Sequence, residues 1–323
     1  MRKTLGAAVV GSLIVAAAAV AEVPDKPTFT KDILPILQEN CITCHRPEGL
    51  NLSGMIAPMS LTTYEEVRPW SKAIAKVVQN RAMPPWHAAP EQDGHFSNER
   101  TLTEDQIATI QKWVQTGVSR GNPNDAPAPI EYPATGWNIG TPDLIAEFEE
   151  PYFVEDEVED LYHDVHVTLT EEQMSEDKWI ERLEFKPGST VVHHILGYAT
   201  APDQEVSRGR EGQREGFFGG NAPGTDPIDF DDGFGIKLRK GSTITFAMHY
   251  HKEPGPGTGV YDSSAIGFVF QDGEVTNPVA IYPIEHGAFE IPPNHDSWRV
   301  GGARVYSEDT YLLGMLPHLH LRG

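Results

Sequence analysis

The two cysteines of this 323-residue chain are Cys41 and Cys44, and His45 follows them directly. Two thiols with two residues between them can add across the two vinyl groups of haem. The next imidazole then lies under the iron as an axial ligand. A thioredoxin-like dithiol would need a βαβ setting, and a zinc half-site would need a second cysteine pair. Covalent haem c on Cys41, Cys44 and His45 is therefore expected. For the opposite axial position the expectation is Met83, in Arg81-Ala82-Met83-Pro84-Pro85-Trp86. Two prolines would stiffen a loop that carries its thioether to the iron. Met55, Met59, His87 and His95 are the competing ligands.

The remaining histidines fall mostly in close groups: His163/His166, His193/His194, His249/His251 and His318/His320. Clustered imidazoles, with both thiols committed elsewhere, suit copper or zinc. Residues two apart share one face of a strand, so His318 and His320 can address one ion, as can His249 and His251. His193 and His194 are adjacent and would diverge on a regular strand. They can meet at one metal only where the strand is distorted. His286 and His295 sit near Pro-rich turns and read as ordinary surface residues.

The elements that must position these groups divide the chain. Residues 1–21 have a basic start, an apolar run and a small-residue end, the pattern of a secretory signal cleaved before Glu22. A retained anchor is the alternative, though the run is short for a bilayer span. The mature chain is expected outside the cytoplasm, in the periplasm or its equivalent. Residues 27–121 read as a helical front, with helices over 29–40, 64–80 and 103–116. In the third, Thr103 and Gln106 form a capping box. Residues 122–142 are Pro-rich and read as a linker. Residues 143–284 read as a β-sandwich, with alternating apolar runs at 166–169, 179–185, 190–198, 242–250, 265–270 and 279–282. Residues 209–235 are rich in glycine and charge and read as a long loop. A further run lies at 310–316. The net charge of -22 excludes a nucleic-acid partner, whose phosphates need a basic face.

Two resemblances sharpen these readings. The front resembles small bacterial cytochrome c domains in three features: the helix leading into Cys41-x-x-Cys44-His45, the Met83-Pro84-Pro85-Trp86 loop, and the Leu102-Thr103-x-x-x-Ile107…Trp113-Val114 helix. The back, over about 143–323, resembles the type II copper, ascorbate-dependent monooxygenases, the family of the peptidylglycine α-hydroxylating and dopamine β-monooxygenases. The segments that carry the likeness are Val191-Val192-His193-His194-Ile195-Leu196, Phe246-Ala247-Met248-His249-Tyr250 and Leu316-Pro317-His318-Leu319-His320. The resemblance implies two copper ions. His193, His194 and His249 would hold the first, which transfers electrons. His318 and His320 would hold the second, which binds oxygen and is catalytic. The family's Met after the last pair is not in this sequence, and Met315 precedes the pair.

The fold class implied is multidomain. An all-α cytochrome c domain is followed by an all-β, jelly-roll-like copper sandwich and an incomplete second sandwich over 285–323. The function implied is a copper-dependent monooxygenase that hydroxylates a C–H bond of an organic substrate with O2, the haem supplying electrons. Non-enzymatic electron transfer to a redox partner protein is the alternative.

Overall fold

The structure, a computed structural model, describes residues 23–46, 57, 59–86, 88, 90–92, 94–96, 99–131, 136–206, 214–222, 225–284, 286 and 288–316. The expected signal segment and His318 and His320 lie outside these residues. The chain divides at Gly140/Thr141 into two compact units. No helix among the described residues is long and apolar enough to cross a membrane.

The front unit carries α1 (Leu34–Asn40), α2 (Tyr64–Val67), α3 (Ser71–Gln79) and α4 (Glu104–Gln115), with a π-helical turn, Phe29–Ile33, leading into α1. Pro69 lies in a 3-10 turn, Arg68–Trp70, that separates α2 from α3, so the helix expected over 64–80 is interrupted. The capping box of α4 is as expected. Gln106 N–H donates to Thr103 Oγ1 (3.1 Å), and Thr103 N–H donates to Gln106 Oε1 (2.9 Å). Gly117, at φ +99°, follows its end. Trp113 is fully buried among Phe29, Ile33, Leu37, Ile74, Val78 and Ile110. Its indole N–H donates to Ser119 O at 2.9 Å.

This is not the all-α cytochrome c domain that was expected. Among the described residues 17% are helical, in short helices, and more lie in β-strands. The helices span seven, four, nine and twelve residues. Prolines at 35, 69, 84, 85, 90 and 123 punctuate the front, and each removes an amide donor from a would-be helical turn.

The back unit is β-sandwich-like. Its strands are β1 (Leu144–Glu147), β2 (Tyr152–Val154), β3 (Asp160–Thr168), β4 (Lys178–Lys186), β5 (Val192–Thr200), β6 (Phe217–Asn221), β7 (Ile228–Asp229), β8 (Phe234–Leu238), β9 (Thr243–His251), β10 (Val260–Asp262), β11 (Ala265–Phe270) and β12 (Asn277–Pro278). One sheet runs β1-β11-β4-β8-β12, with β7 also on β4. A second runs β3-β9-β5-β6, and β2 pairs with β10. The two larger sheets share one core. Ile244, Phe246, Met248 and Tyr250 of β9 point into it from one side, and Leu183, Phe185, Ile266 and Phe268 from the other. Phe218 of β6 meets Phe268 of β11 at 5.7 Å between ring centroids. Each such side chain taken out of water stabilises the fold by roughly 1.5–3 kcal/mol.

Two further expectations are corrected. The glycine-rich stretch 209–235 is not all loop, because it holds β6, β7 and the start of β8. The second concerns the sandwich expected to start over 285–323. No residue described from 279 to 316 is buried or in a strand, so the strands expected at 279–282 and 310–316 are absent. Val305, Tyr311 and Met315 are 94%, 88% and 80% exposed. The apolar alternation there has no opposing layer to pack on.

Candidate metal centre

His193, His194 and His249 come together, with their ligating nitrogens all within 4.8 Å of one another. A β-bulge is the cause. In the β5–β9 ladder Val192 pairs with Tyr250 and His194 with His249, so His193 is the unpaired extra residue. Val192 and Ile195 both face the core. The two histidines between them therefore both face outward, where a regular strand would have sent one inward. His249 lies directly across from His194 on the same outer face.

The nitrogens that converge are all Nδ1. His193 Nδ1 lies 3.1 Å from His194 Nδ1, and His249 Nδ1 lies 3.4 Å from His194 Nδ1. Metal–nitrogen bonds of ~2.0–2.1 Å would set ligating nitrogens roughly 2.9 Å apart at right angles and about 3.4 Å apart at tetrahedral angles. The two separations from His194 are ones that a single bound ion would set, and the third lies within 4.8 Å. His194 and His249 are buried, whereas His193 is exposed and gives the cluster its opening to solvent. Burial, with His249 and His194 adding, holds the His193 imidazole below its usual range, which favours the neutral form that binds metals.

Strand β3 lies beside β9, with Tyr162 opposite His249 and Asp160 opposite His251. Asp160 Oδ1 accepts from His249 Nε2 at 3.0 Å and from His251 Nδ1 at 3.1 Å. Tyr162 stacks on the His249 ring at 4.2 Å and 5°. The sequence reading missed Asp160 and Tyr162. Alternation puts them on one face of a strand, but only the β3–β9 register brings that face to His249.

The other histidines have local partners. His163 stacks on Tyr152 at 4.1 Å, and His166 Nδ1 lies 2.9 Å from Thr245 Oγ1. His295 Nδ1 accepts from Ser297 N–H at 3.2 Å, and His286 packs near Phe289. The second expected copper pair, His318 and His320, lies outside the described residues.

In the front unit, Cys41 caps α1 and the chain turns tightly after it. The amides of Cys44 and His45 donate to Cys41 O at 3.2 and 2.9 Å. Burial, with Cys44 adding, pushes the Cys41 thiol up to about 12. His45 Nδ1 donates to Met59 O at 3.1 Å, which leaves Nε2 as its ligating nitrogen. Leu61 N–H also donates to His45 O at 2.9 Å, holding the turn against the 59–61 segment. Met83 is 40% exposed, while Met59 packs against the helical core. The buried Trp86 indole N–H has no hydrogen-bond partner among the described residues. Cys41, Cys44 and His45 thus lie on one tight turn of backbone at the end of α1.

No family model matches the chain, and no curated protein matches it. Together with the short helices of the front unit and the absence of strands over 279–316 among the described residues, this removes the expected membership of the cytochrome c domains and of the copper monooxygenases. The three-histidine cluster stands on its own geometry.

Proposed function

We propose that this chain is an exported redox protein that binds copper on His193, His194 and His249 and haem c on Cys41, Cys44 and His45. The convergence of three imidazole Nδ1 atoms at the β5 bulge is the observation that carries the reading. Neutral imidazoles suit copper better than the carboxylate- and water-preferring metals. Each group would supply one-electron chemistry when bound. The chain's own work is to hold the ligands. The bulge turns His193 and His194 to one face, the β9 register brings His249 to them, and Met59 O orients His45. Met83 is the proposed second haem ligand.

The reaction proposed is hydroxylation of an organic C–H bond by O2, with the haem unit delivering electrons. His318 and His320 are the proposed holders of a second copper. Plain electron transfer to a partner protein is the competing function.

The test begins with copper titration of the haem-loaded chain. At least one Cu(II) should bind, with nitrogen hyperfine structure in its electron paramagnetic resonance spectrum that His249→Ala removes. The reduced protein is then exposed to O2. Copper-dependent reoxidation of the haem that an organic substrate accelerates, with one oxygen atom of isotope-labelled O2 entering the product and both effects lost in His318→Ala/His320→Ala, supports hydroxylation. Copper binding with reoxidation indifferent to those two residues leaves an electron carrier. No copper binding overturns the reading.

A further inference from the structure

We infer that Asp160 is the positioning residue of the three-histidine centre: its carboxylate commits His249 to bind through Nδ1 and strengthens it as a ligand. The inference rests on the copper reading above. It concerns what tunes the centre, not which residues form it.

An imidazole can offer either nitrogen, and what holds one nitrogen decides the role of the other. His249 Nε2 is held by Asp160 Oδ1 at 3.0 Å, while Nδ1 faces His194 Nδ1 at 3.4 Å. A ring flip of His249 would break the first contact and put a carbon where Nδ1 now stands. Tyr162, two residues along the same face of β3, lies flat on the ring at 4.2 Å and 5°, so the ring plane is held as well. Strand β3 thus grips His249 at its edge and at its face.

The plainer account makes Asp160 half of a surface ion pair. Its side chain is 54% exposed, and pairs that exposed contribute little to stability. That account does not explain why a single oxygen serves two imidazoles. His251 is the second, at 3.1 Å through its own Nδ1. The ligating nitrogens that lie together are those of His193, His194 and His249, and His251 is not among them, so it stands here as a partner of the carboxylate. A carboxylate on the far nitrogen of a ligating imidazole raises its basicity, and loss of such outer partners weakens metal binding roughly 10–100-fold. The more basic ligand favours Cu(II) over Cu(I).

Asp160→Asn is the test, because it keeps the side chain's size and an acceptor oxygen but removes the charge. In the whole chain, Cu(II) affinity should fall roughly tenfold or more, and Cu(I) affinity less. Each tenfold preferential loss of Cu(II) raises the copper potential by about 59 mV. The copper hyperfine splitting should change, while the thermal midpoint of the metal-free protein stays put. His251→Gln should leave Cu(II) affinity unchanged. Asp160→Asn with the parent's affinity, potential and spectrum overturns the inference while the copper reading stands. A large loss of affinity in His251→Gln also overturns it, by making His251 a ligand. A parent that binds no copper overturns both.

Discussion

The Cys41–His45 motif and the three-histidine cluster are built in opposite ways. Cys41, Cys44 and His45 are contiguous, and one turn of backbone at the end of α1 sets their spacing. His193, His194 and His249 come from two strands, and their meeting depends on a bulge and on ladder register. The first can be read from five letters. The second exists only when the sheet does. The contrast shows what each is sensitive to: the motif to its own residues, the cluster to anything that moves β5 against β9.

The largest expected effect is all-or-none. Cys41→Ala with Cys44→Ala should abolish covalent haem, seen as loss of haem staining on a denaturing gel. The parent should keep its stain there, since a covalent bond survives unfolding. Copper should leave under the same denaturant, because its three ligands are adjacent only in the folded sheet. Retention of copper by the unfolded chain would break the comparison.

Next in size is His194→Ala. Structural metal sites release ~10–16 kcal/mol over four ligands, so one imidazole is worth about 3 kcal/mol, or roughly a hundredfold in affinity. Copper titration measures this directly. A linked effect follows. Copper at a hundred times its Kd should stabilise the β unit by about 2.7 kcal/mol. Urea midpoints with and without copper give that value, and His194→Ala should shrink it towards zero.

The same contrast explains how much was legible. Local signals were: the Thr103–Gln106 capping box and the alternation that became β4, β5, β9 and β11. The joining of His193 and His194 at one site needed a distorted strand, and the sequence could state that condition but not its fulfilment. Glycines misled. Gly219 and Gly220 made β6 look like loop, yet glycine there is a packing device. A Cβ on Gly197 of β5 would lie 2.6 Å from the Phe218 ring, and one on Gly219 would lie 2.9 Å from Ile228. Apolar alternation misled in the other direction at 310–316, because alternation names a face without supplying the layer that covers it.

Asp160 and Asp262 were the least legible, since each is recruited to β9 from a distance. They face opposite sides of that strand and respond in opposite ways. The His249 hydrogen bond, with a smaller one from His251, holds the exposed Asp160 carboxyl below its usual range. Burial pushes Asp262 up, despite donors at Tyr250 (2.9 Å) and Ser264 (2.9 Å). A raised carboxyl binds its proton more tightly in the fold. Its contribution is therefore full below the unfolded value near ~3.9 and is lost as pH rises through the folded value. Asp262→Asn cannot titrate. The stability of the parent relative to this variant should decline from pH 4 to pH 7, by about 1.4 kcal/mol for each tenfold by which folding tightens the proton on Asp262. Urea midpoints of both proteins at the two pH values measure it. A difference that does not decline would show that the buried donors outweigh burial.

The smallest effect tests the local side of the comparison. Thr103 and Gln106 satisfy each other's backbone amides at the start of α4, and Trp113 of the same helix is the centre of the front core. Thr103→Ala leaves the Gln106 amide without its acceptor and should cost about 1 kcal/mol. The change should appear as a lower denaturation midpoint of the helical signal in circular dichroism. It should not alter Cu(II) affinity, because no ladder contact of β5 or β9 involves α4. A cap mutation that weakened copper binding would show that the cluster answers to more than the register of its own sheet.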